Sequence, residues 1–214
     1  HVLDAGCGLG ENCLYLAQQQ PKYYGNNIKS ITGFDFSKES IQLATDEMEK
    51  IMTKEREQEQ ERENTSSSAS SSSSSFYTKP NFITASCTDI ADQHDDQELF
   101  SAIKNYNSSN NTDKDDDHNE DHLYFDVIID SGLLHCLNDD DAIHYIDQMS
   151  KLLQPNTGKF YIGCFSTKNP DPWDNPRRIN EDYIYNLFNH QSQSHNNDDD
   201  LSPPLWEVEL IRDT

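Results

Sequence analysis

His1-Val2-Leu3-Asp4-Ala5-Gly6-Cys7-Gly8-Leu9-Gly10 opens the chain: an apolar run, a carboxylate, then three glycines on alternate positions ahead of a helix-forming stretch from Glu11 to Gln20. A short apolar strand delivered into a glycine-rich turn and then a helix is the start of a βαβ unit. Glycines there allow a tight turn and let a ligand lie close to the backbone. A dinucleotide-binding turn carries a third glycine one position later, so that a pyrophosphate can rest on the helix N-terminus. That position is Glu11, whose charge opposes a pyrophosphate.

Outward from this turn, apolar runs alternate with amphipathic segments. Strands are expected near residues 1–4, 31–35, 81–85, 125–129, 158–165 and 206–212, in the order βαβαβαβαβαβ that marks an open parallel sheet. Ile41, Ala44, Met48 and Ile51 recur at helical spacing after the second strand, and Ile143, Ile146, Met149 and Leu153 do so after the fourth. The second of these helices starts on Asp139-Asp140-Asp141, suited to the positive end of a helix dipole, and Pro155 is expected to stop it. Ligands of such a sheet sit at the carboxyl ends of its strands.

The chain of 214 residues suits one α/β domain, 1–214. Only 33% of it is hydrophobic, because polar residues are concentrated in three tracts. Residues 54–75 and 105–122 are expected to be unfolded insertions, and 191–200 a polar loop. The formal charge of -23, with no basic stripe, argues against nucleic acid as a partner. No apolar run is long enough to span a bilayer, so no membrane partner is expected. Five cysteines without a CxxC pair point to reduced thiols and a cytoplasmic location. The chain enters at His1 directly on a strand, so a preceding substrate-covering segment is expected in the longer protein, along with any targeting signal. Oligomeric state is not legible.

Four further stretches carry chemistry. Ile31-Thr32-Gly33-Phe34-Asp35-Phe36-Ser37 ends a strand on a carboxylate able to accept both hydroxyls of a ribose, or to cap the following helix. Ala85-Ser86-Cys87-Thr88-Asp89-Ile90 ends the third strand with Asp89, Asp92 being the near alternative. Phe125 to His135 runs a buried strand into Asp130-Ser131-Gly132-Leu133-Leu134-His135, and Leu152 to Phe160 carries an L-x-P-x-G-like helix end with one extra residue.

Taken with Asp4 to Gly10, these stretches resemble, in order and spacing over nearly the whole chain, the motifs of class I S-adenosylmethionine-dependent methyltransferases. The resemblance implies a Rossmann-like, doubly wound, mainly parallel sheet, here truncated at the ends, with S-adenosylmethionine as cofactor. It implies cofactor contacts from Asp4, Gly6, Cys7, Gly8 and Gly10 for the methionine part, Asp35 with Phe36 for the ribose, Asp89 with Ile90 for the adenine, and Asp130 at the end of the fourth strand. Asp130 to His135, Cys164-Phe165-Ser166 and Pro176-Arg177-Arg178-Ile179 look closest to small-molecule enzymes near the thiol and thiopurine S-methyltransferases. The N-P-P-[YF] element of nucleic-acid and glutamine N-methyltransferases is missing after the fourth strand; Asn169-Pro170-Asp171-Pro172-Trp173 imitates it after the fifth.

Methyl transfer from an activated sulfonium needs alignment and dryness more than a base. His135, the histidine of the methyl-facing loop, is the candidate proton acceptor; alternatively it packs beneath the loop or orients a backbone group. Arg177 and Arg178 are candidates to pair with an anionic substrate, against a solvated surface role, and Trp173 to line the pocket. No metal site is expected, since His118 and His122 lie in an Asp-rich tract without a helix to hold them. A nicotinamide-dependent oxidoreductase and a non-catalytic cofactor-binding interaction domain are the competing functions, the first disfavoured by Asp4 and Glu11.

Overall fold

The computed structural model describes residues 1–19, 27–65, 78–92, 124–172, 175–194 and 206–208. Five strands, β1 (Val2–Ala5), β2 (Ile31–Asp35), β3 (Asn81–Thr84), β4 (Val127–Ser131) and β5 (Lys159–Gly163), form one sheet in the order β3-β2-β1-β4-β5. Every pairing is parallel. The helices are α1 (Glu11–Gln19), α2 (Lys38–Thr65), α3 (Asp139–Leu152) and α4 (Glu181–Ser194), with a short 3-10 turn at Leu134–Cys136.

Alternation along the strands divides the apolar residues between two layers. Ile31 and Phe82 join Cys7, Cys13, Ala17 and Ile41 in a core under α1 and α2. Phe34 and Ile83 face the other way, into a larger core with Leu3, Ile128, Tyr145, Ile146 and Phe188 under α3 and α4. Strand order runs outward from β1 in both directions, so the chain reverses between β1 and β4. That reversal parts the two connecting loops and leaves a crevice above the carboxyl ends of these strands.

The helix faces follow the sequence periodicity. Ala44 and Met48 are buried on α2, and Ile146 and Met149 on α3, where Ala142, Tyr145, Gln148 and Leu152 complete the face and Ile143 sits at its margin. Asn138 caps α3 by accepting the Asp141 N–H at 2.9 Å. That helix ends at Leu152, before Pro155 is reached. The extra residue of the following turn is absorbed by Asn156, at φ 65°, while Gly158 N–H donates to the Gln154 carbonyl at 2.9 Å. A side chain at Gly158 would meet Leu153 Cγ at 2.5 Å, so the glycine is required where the turn closes on itself.

Several boundaries differ from the sequence expectation. Residues 54–65, expected to be part of an unfolded insertion, continue α2. Lys, Glu, Arg and Gln are strong helix formers, and no Gly or Pro interrupts them, so propensity carries the helix beyond its buried face. The same polar composition suits an exposed helix as well as an unfolded tract. Similarly, 191–194 extend α4 rather than starting a loop. The fourth strand begins two residues later than expected, because Asp126 bends and Phe125 makes only an isolated bridge with Leu153. Trp206 to Val208 pack on the larger core without joining the sheet. The remainder of the expected sixth strand, the rest of the 54–75 and 191–200 tracts, and all of 105–122 with His118 lie outside the described residues, as does His122. Among the described residues no helix is long and apolar enough to cross a membrane.

Candidate active site

The turn after β1 is built on left-handed backbone: φ is 67° at Gly6, 53° at Gly8 and 77° at Gly10. A Cβ on Gly6 would lie 2.9 Å from Leu133 Cβ, and one on Gly10 would lie 2.6 Å from the Phe82 ring. These two glycines are fixed by packing. Gly8 differs, with nothing within 4 Å of the position a Cβ would take. It is the one glycine of the three whose open side faces free space, as close ligand approach requires.

Two strand-end carboxylates, one on β2 and one on β4 with β1 between them, are used in opposite ways. A carboxylate offers about four lone-pair sites, two on each oxygen. Asp35 accepts Ser37 N–H on Oδ1 at 2.9 Å and Gly8 N–H on Oδ2 at 3.0 Å, leaving one site on each oxygen. Ser37 then caps α2 by accepting Ser40 N–H at 3.1 Å. The capping role considered for Asp35 therefore falls to Ser37, two residues on.

Asp130, in contrast, is 1% exposed and full. Its Oδ1 accepts from Gly132 N–H (3.0 Å) and Leu133 N–H (2.6 Å), its Oδ2 from Leu134 N–H (3.0 Å) and Tyr145 Oη (3.0 Å). Burial raises its pKa against these four donors, and the same burial pushes the Tyr145 hydroxyl well up. The expected direct contact with the cofactor gives way to a different job: with every lone pair used inside the protein, Asp130 shapes the loop after β4.

Asp4 is also 1% exposed, accepting from Asn12 Nδ2 at 3.3 Å and Cys13 Sγ at 3.4 Å. Burial, with a contribution from Asp130, raises its pKa to about 6. It ties the glycine turn to the first turn of α1. Cys7 is buried beside it; its N–H donates to the Phe34 carbonyl at 2.9 Å and burial pushes its thiol up to about 12. The Cys7 backbone belongs to the turn, and its side chain is inert packing.

The adenine-side candidates separate cleanly. Asp92 accepts from Gln148 Nε2 at 2.7 Å and Lys151 Nζ at 2.8 Å, which commits it to α3. Asp89 is exposed in the turn after β3. The Ile90 side chain is in the core at 1% exposure, so any cofactor contact from it is through the backbone. Phe36 is 81% exposed and offers a bare aromatic face next to Asp35.

The residues expected to meet substrate are distributed differently. His135 stands at the end of β4, half-buried, and its Nδ1 accepts the Phe165 N–H at 3.3 Å. Burial lowers its pKa. Arg177 donates to Asp139 Oδ1 at 2.6 Å and to Tyr183 Oη at 2.7 Å, with its guanidinium 4.7 Å from the Tyr183 ring centre. Arg178 donates to the carbonyls of Asn169 and Asp171. Both arginines bond to local structure, which favours the structural role over the anion-binding one. Trp173 lies outside the described residues. Sequence reading missed Tyr145 and Gln148, buried polar residues that look like part of an apolar face. Their signal was spacing alone. Ser37 was findable as a helix-start serine.

A parallel sheet reversing between β1 and β4, with a glycine turn on one side and a half-satisfied carboxylate on the next strand, defines a Rossmann-like fold. The chain belongs to the methyltransferase-domain family, whose model matches residues 1–192. No curated protein is matched. Among solved structures, one from work on conversion of a disulfide bond into a thioacetal group during echinomycin biosynthesis aligns with TM-score 0.51 and 20% identity, over 87% of this chain and 59% of that one. The plantazolicin methyltransferase BamL, solved with a triazolic desmethylPZN analog and SAH, aligns with TM-score 0.50 and 13% identity, over 91% and 54% of the two chains. Magnesium protoporphyrin IX methyltransferase (ChlM) from Synechocystis PCC 6803, with bound SAM, gives TM-score 0.48 and 14% identity over 89% and 58%. This chain thus spans between 54% and 59% of the length of these proteins.

Proposed function

We propose that this chain is the cofactor-binding core of an S-adenosylmethionine-dependent methyltransferase acting on a small molecule, with thiols the first acceptor class to test. The observation that carries it is Asp35: its two unused lone-pair sites, one per oxygen, match the two hydroxyls of a ribose. Phe36 supplies a face for an adenine, Asp89 an acceptor for its amino group, and open space beside Gly8 accommodates the amino-acid tail. Membership of the methyltransferase family supports the same cofactor. A ribose-binding carboxylate also serves nicotinamide enzymes, but Glu11, exposed at the start of α1, stands where a pyrophosphate would need a glycine.

When bound, S-adenosylmethionine supplies a methyl group already activated on a sulfonium. The protein's contribution is then to hold the acceptor in line and to exclude water. The glycine turn fixes the β1 side of the crevice, and Asp130 fixes the β4 side by holding three successive backbone N–H groups. The test is calorimetric titration of the full-length protein with S-adenosylhomocysteine, with NAD and Asp35→Ala as controls. Binding of S-adenosylhomocysteine alone, weakened by the substitution, is expected. NAD binding in its place overturns the assignment, and silence from both ligands favours a non-catalytic interaction domain.

A further inference from the structure

We propose that His135 is a substrate-positioning hydrogen-bond donor, presenting Nε2–H to a neutral carbonyl or amide oxygen carried by the methyl acceptor; the proposal rests on the methyltransferase assignment above. A neutral imidazole has one N–H and one lone pair, and the partner of one nitrogen decides the role of the other. The Phe165 N–H points at Nδ1, 3.3 Å away. The lone pair is therefore on Nδ1 and the proton on Nε2. A general base needs a free lone pair, and the only one this ring owns is spent on the backbone of the residue after Cys164. Taking a proton from a substrate would forfeit that bond.

The ring is held in this orientation by Phe165, through its backbone and its side chain. It stacks on Phe165, centroids 5.0 Å apart and planes 10° from parallel. Gly132, at φ 104°, leaves room for the ring edge: a Cβ there would stand 3.2 Å from Cε1 and 3.3 Å from Nε2. Gly132 is in turn fixed by its N–H bond to Asp130. The buried carboxylate thus acts through the loop on the imidazole. Nε2 itself meets no acceptor among the described residues, although the ring is half-buried on the loop that borders the β1–β4 crevice. Burial lowers the pKa of the ring, which keeps it in the neutral form that can have only one donor.

The preference for a neutral acceptor group follows from charge. Arg177 and Arg178 are engaged elsewhere, while Asp35 ends β2 and Asp89 follows β3 along the same edge of the sheet, and the whole chain carries -23. A carboxylate would enter a field of its own sign; an amide or ketone oxygen would not.

The test uses the full-length protein labelled with 15N-histidine, saturated with S-adenosylhomocysteine at pH 8. Long-range 1H–15N correlation reads the two ring nitrogens, and His135→Gln assigns its signal among those of the other histidines. N-methylacetamide is the neutral probe and sodium acetate the anionic one. The expected result is a pyridine-type Nδ1, a pyrrole-type Nε2, and a progressive shift of Nε2 with N-methylacetamide that acetate does not reproduce. A pyrrole-type Nδ1, an Nε2 unmoved by the amide, or an equal response to acetate overturns the proposal. Binding of S-adenosylhomocysteine in calorimetry with an unmoved Nε2 removes only the His135 role, whereas absence of that binding removes the methyltransferase assignment together with it.

Discussion

The backbone N–H of Gly8 donates to Asp35 Oδ2 at 3.0 Å, so the glycine turn after β1 and the carboxylate at the end of β2 form one unit. The bond aligns Asp35 before any ligand arrives, which lowers the ordering cost of binding. Replacing Asp35 by Ala removes two acceptors for ribose hydroxyls and releases the turn. Charged hydrogen bonds are worth about 1.5–3 kcal/mol each, so loss of the two should lower affinity for S-adenosylhomocysteine by at least about 100-fold. Asp35→Asn retains one oxygen and should lose about 10-fold. Calorimetry measures both, and wild-type affinity in Asp35→Ala would remove the residue from the site.

Gly8 and Gly10 should fail in different ways when replaced by Ala. At Gly10 the new methyl would lie 2.6 Å from Phe82 Cε1 and Cζ and 3.0 Å from Ala44 Cβ, on backbone at φ 77°. Overpacking together with the left-handed penalty should cost about 2–4 kcal/mol of stability in urea unfolding. Gly8→Ala meets no protein atom and should cost only about 1 kcal/mol. Its methyl occupies ligand space instead, so affinity for S-adenosylhomocysteine should drop at least about 10-fold in a protein that still folds. Normal binding by Gly8→Ala would show that the ligand does not lie against this turn.

Asp4 gives the fold a pH dependence. Its pKa is about 6 in the folded chain against an ordinary 3.8, raised mainly by burial. A group shifted in this direction contributes stability that is fully present below the unfolded value and is lost as pH rises through the folded one. At neutral pH and above, the protein bears a buried charge. Asp4→Asn abolishes that cost, so the variant should gain on the wild type by about 1–2 kcal/mol between pH 5 and pH 8. Urea unfolding at the two pH values measures it; a gap independent of pH would mean that Asp4 titrates normally.

What the sequence made legible is what depends on local pattern. The five parallel strands, the turn at Gly6 to Gly10 and the carboxylate ending β2 all follow from apolar runs and glycine placement within a few residues. Roles that depend on who sits opposite were hidden. Asp130 and Asp35 both read as strand-end carboxylates, and only three-dimensional partners show that one is saturated and the other half free. The arginine pair looked like an anion site until Asp139 and Tyr183 came into contact across 38 and 6 residues. The full length of helix α2 was hidden because a charged, glutamine-rich tract has the composition of disorder and the propensity of a helix.

Asp89 and Asp92 stand three residues apart and should separate binding from stability. Asp92 holds Gln148 Nε2 at 2.7 Å, and Gln148 is itself 2% exposed, with its Oε1 accepting the Ala91 N–H at 2.7 Å. Asp92→Ala strands part of a buried amide and should cost about 1–2 kcal/mol, with cofactor affinity held within about two-fold. Asp89 is exposed, so Asp89→Ala should leave unfolding unchanged. Loss of one hydrogen bond to an adenine amino group should weaken S-adenosylhomocysteine by about 3- to 10-fold. Adenosine, which lacks the amino-acid tail, should show the same ratio between wild type and Asp89→Ala, because the contact is confined to the base. A ratio that appears with S-adenosylhomocysteine and vanishes with adenosine would move Asp89 away from the adenine, and a binding defect in Asp92→Ala would exchange the two assignments.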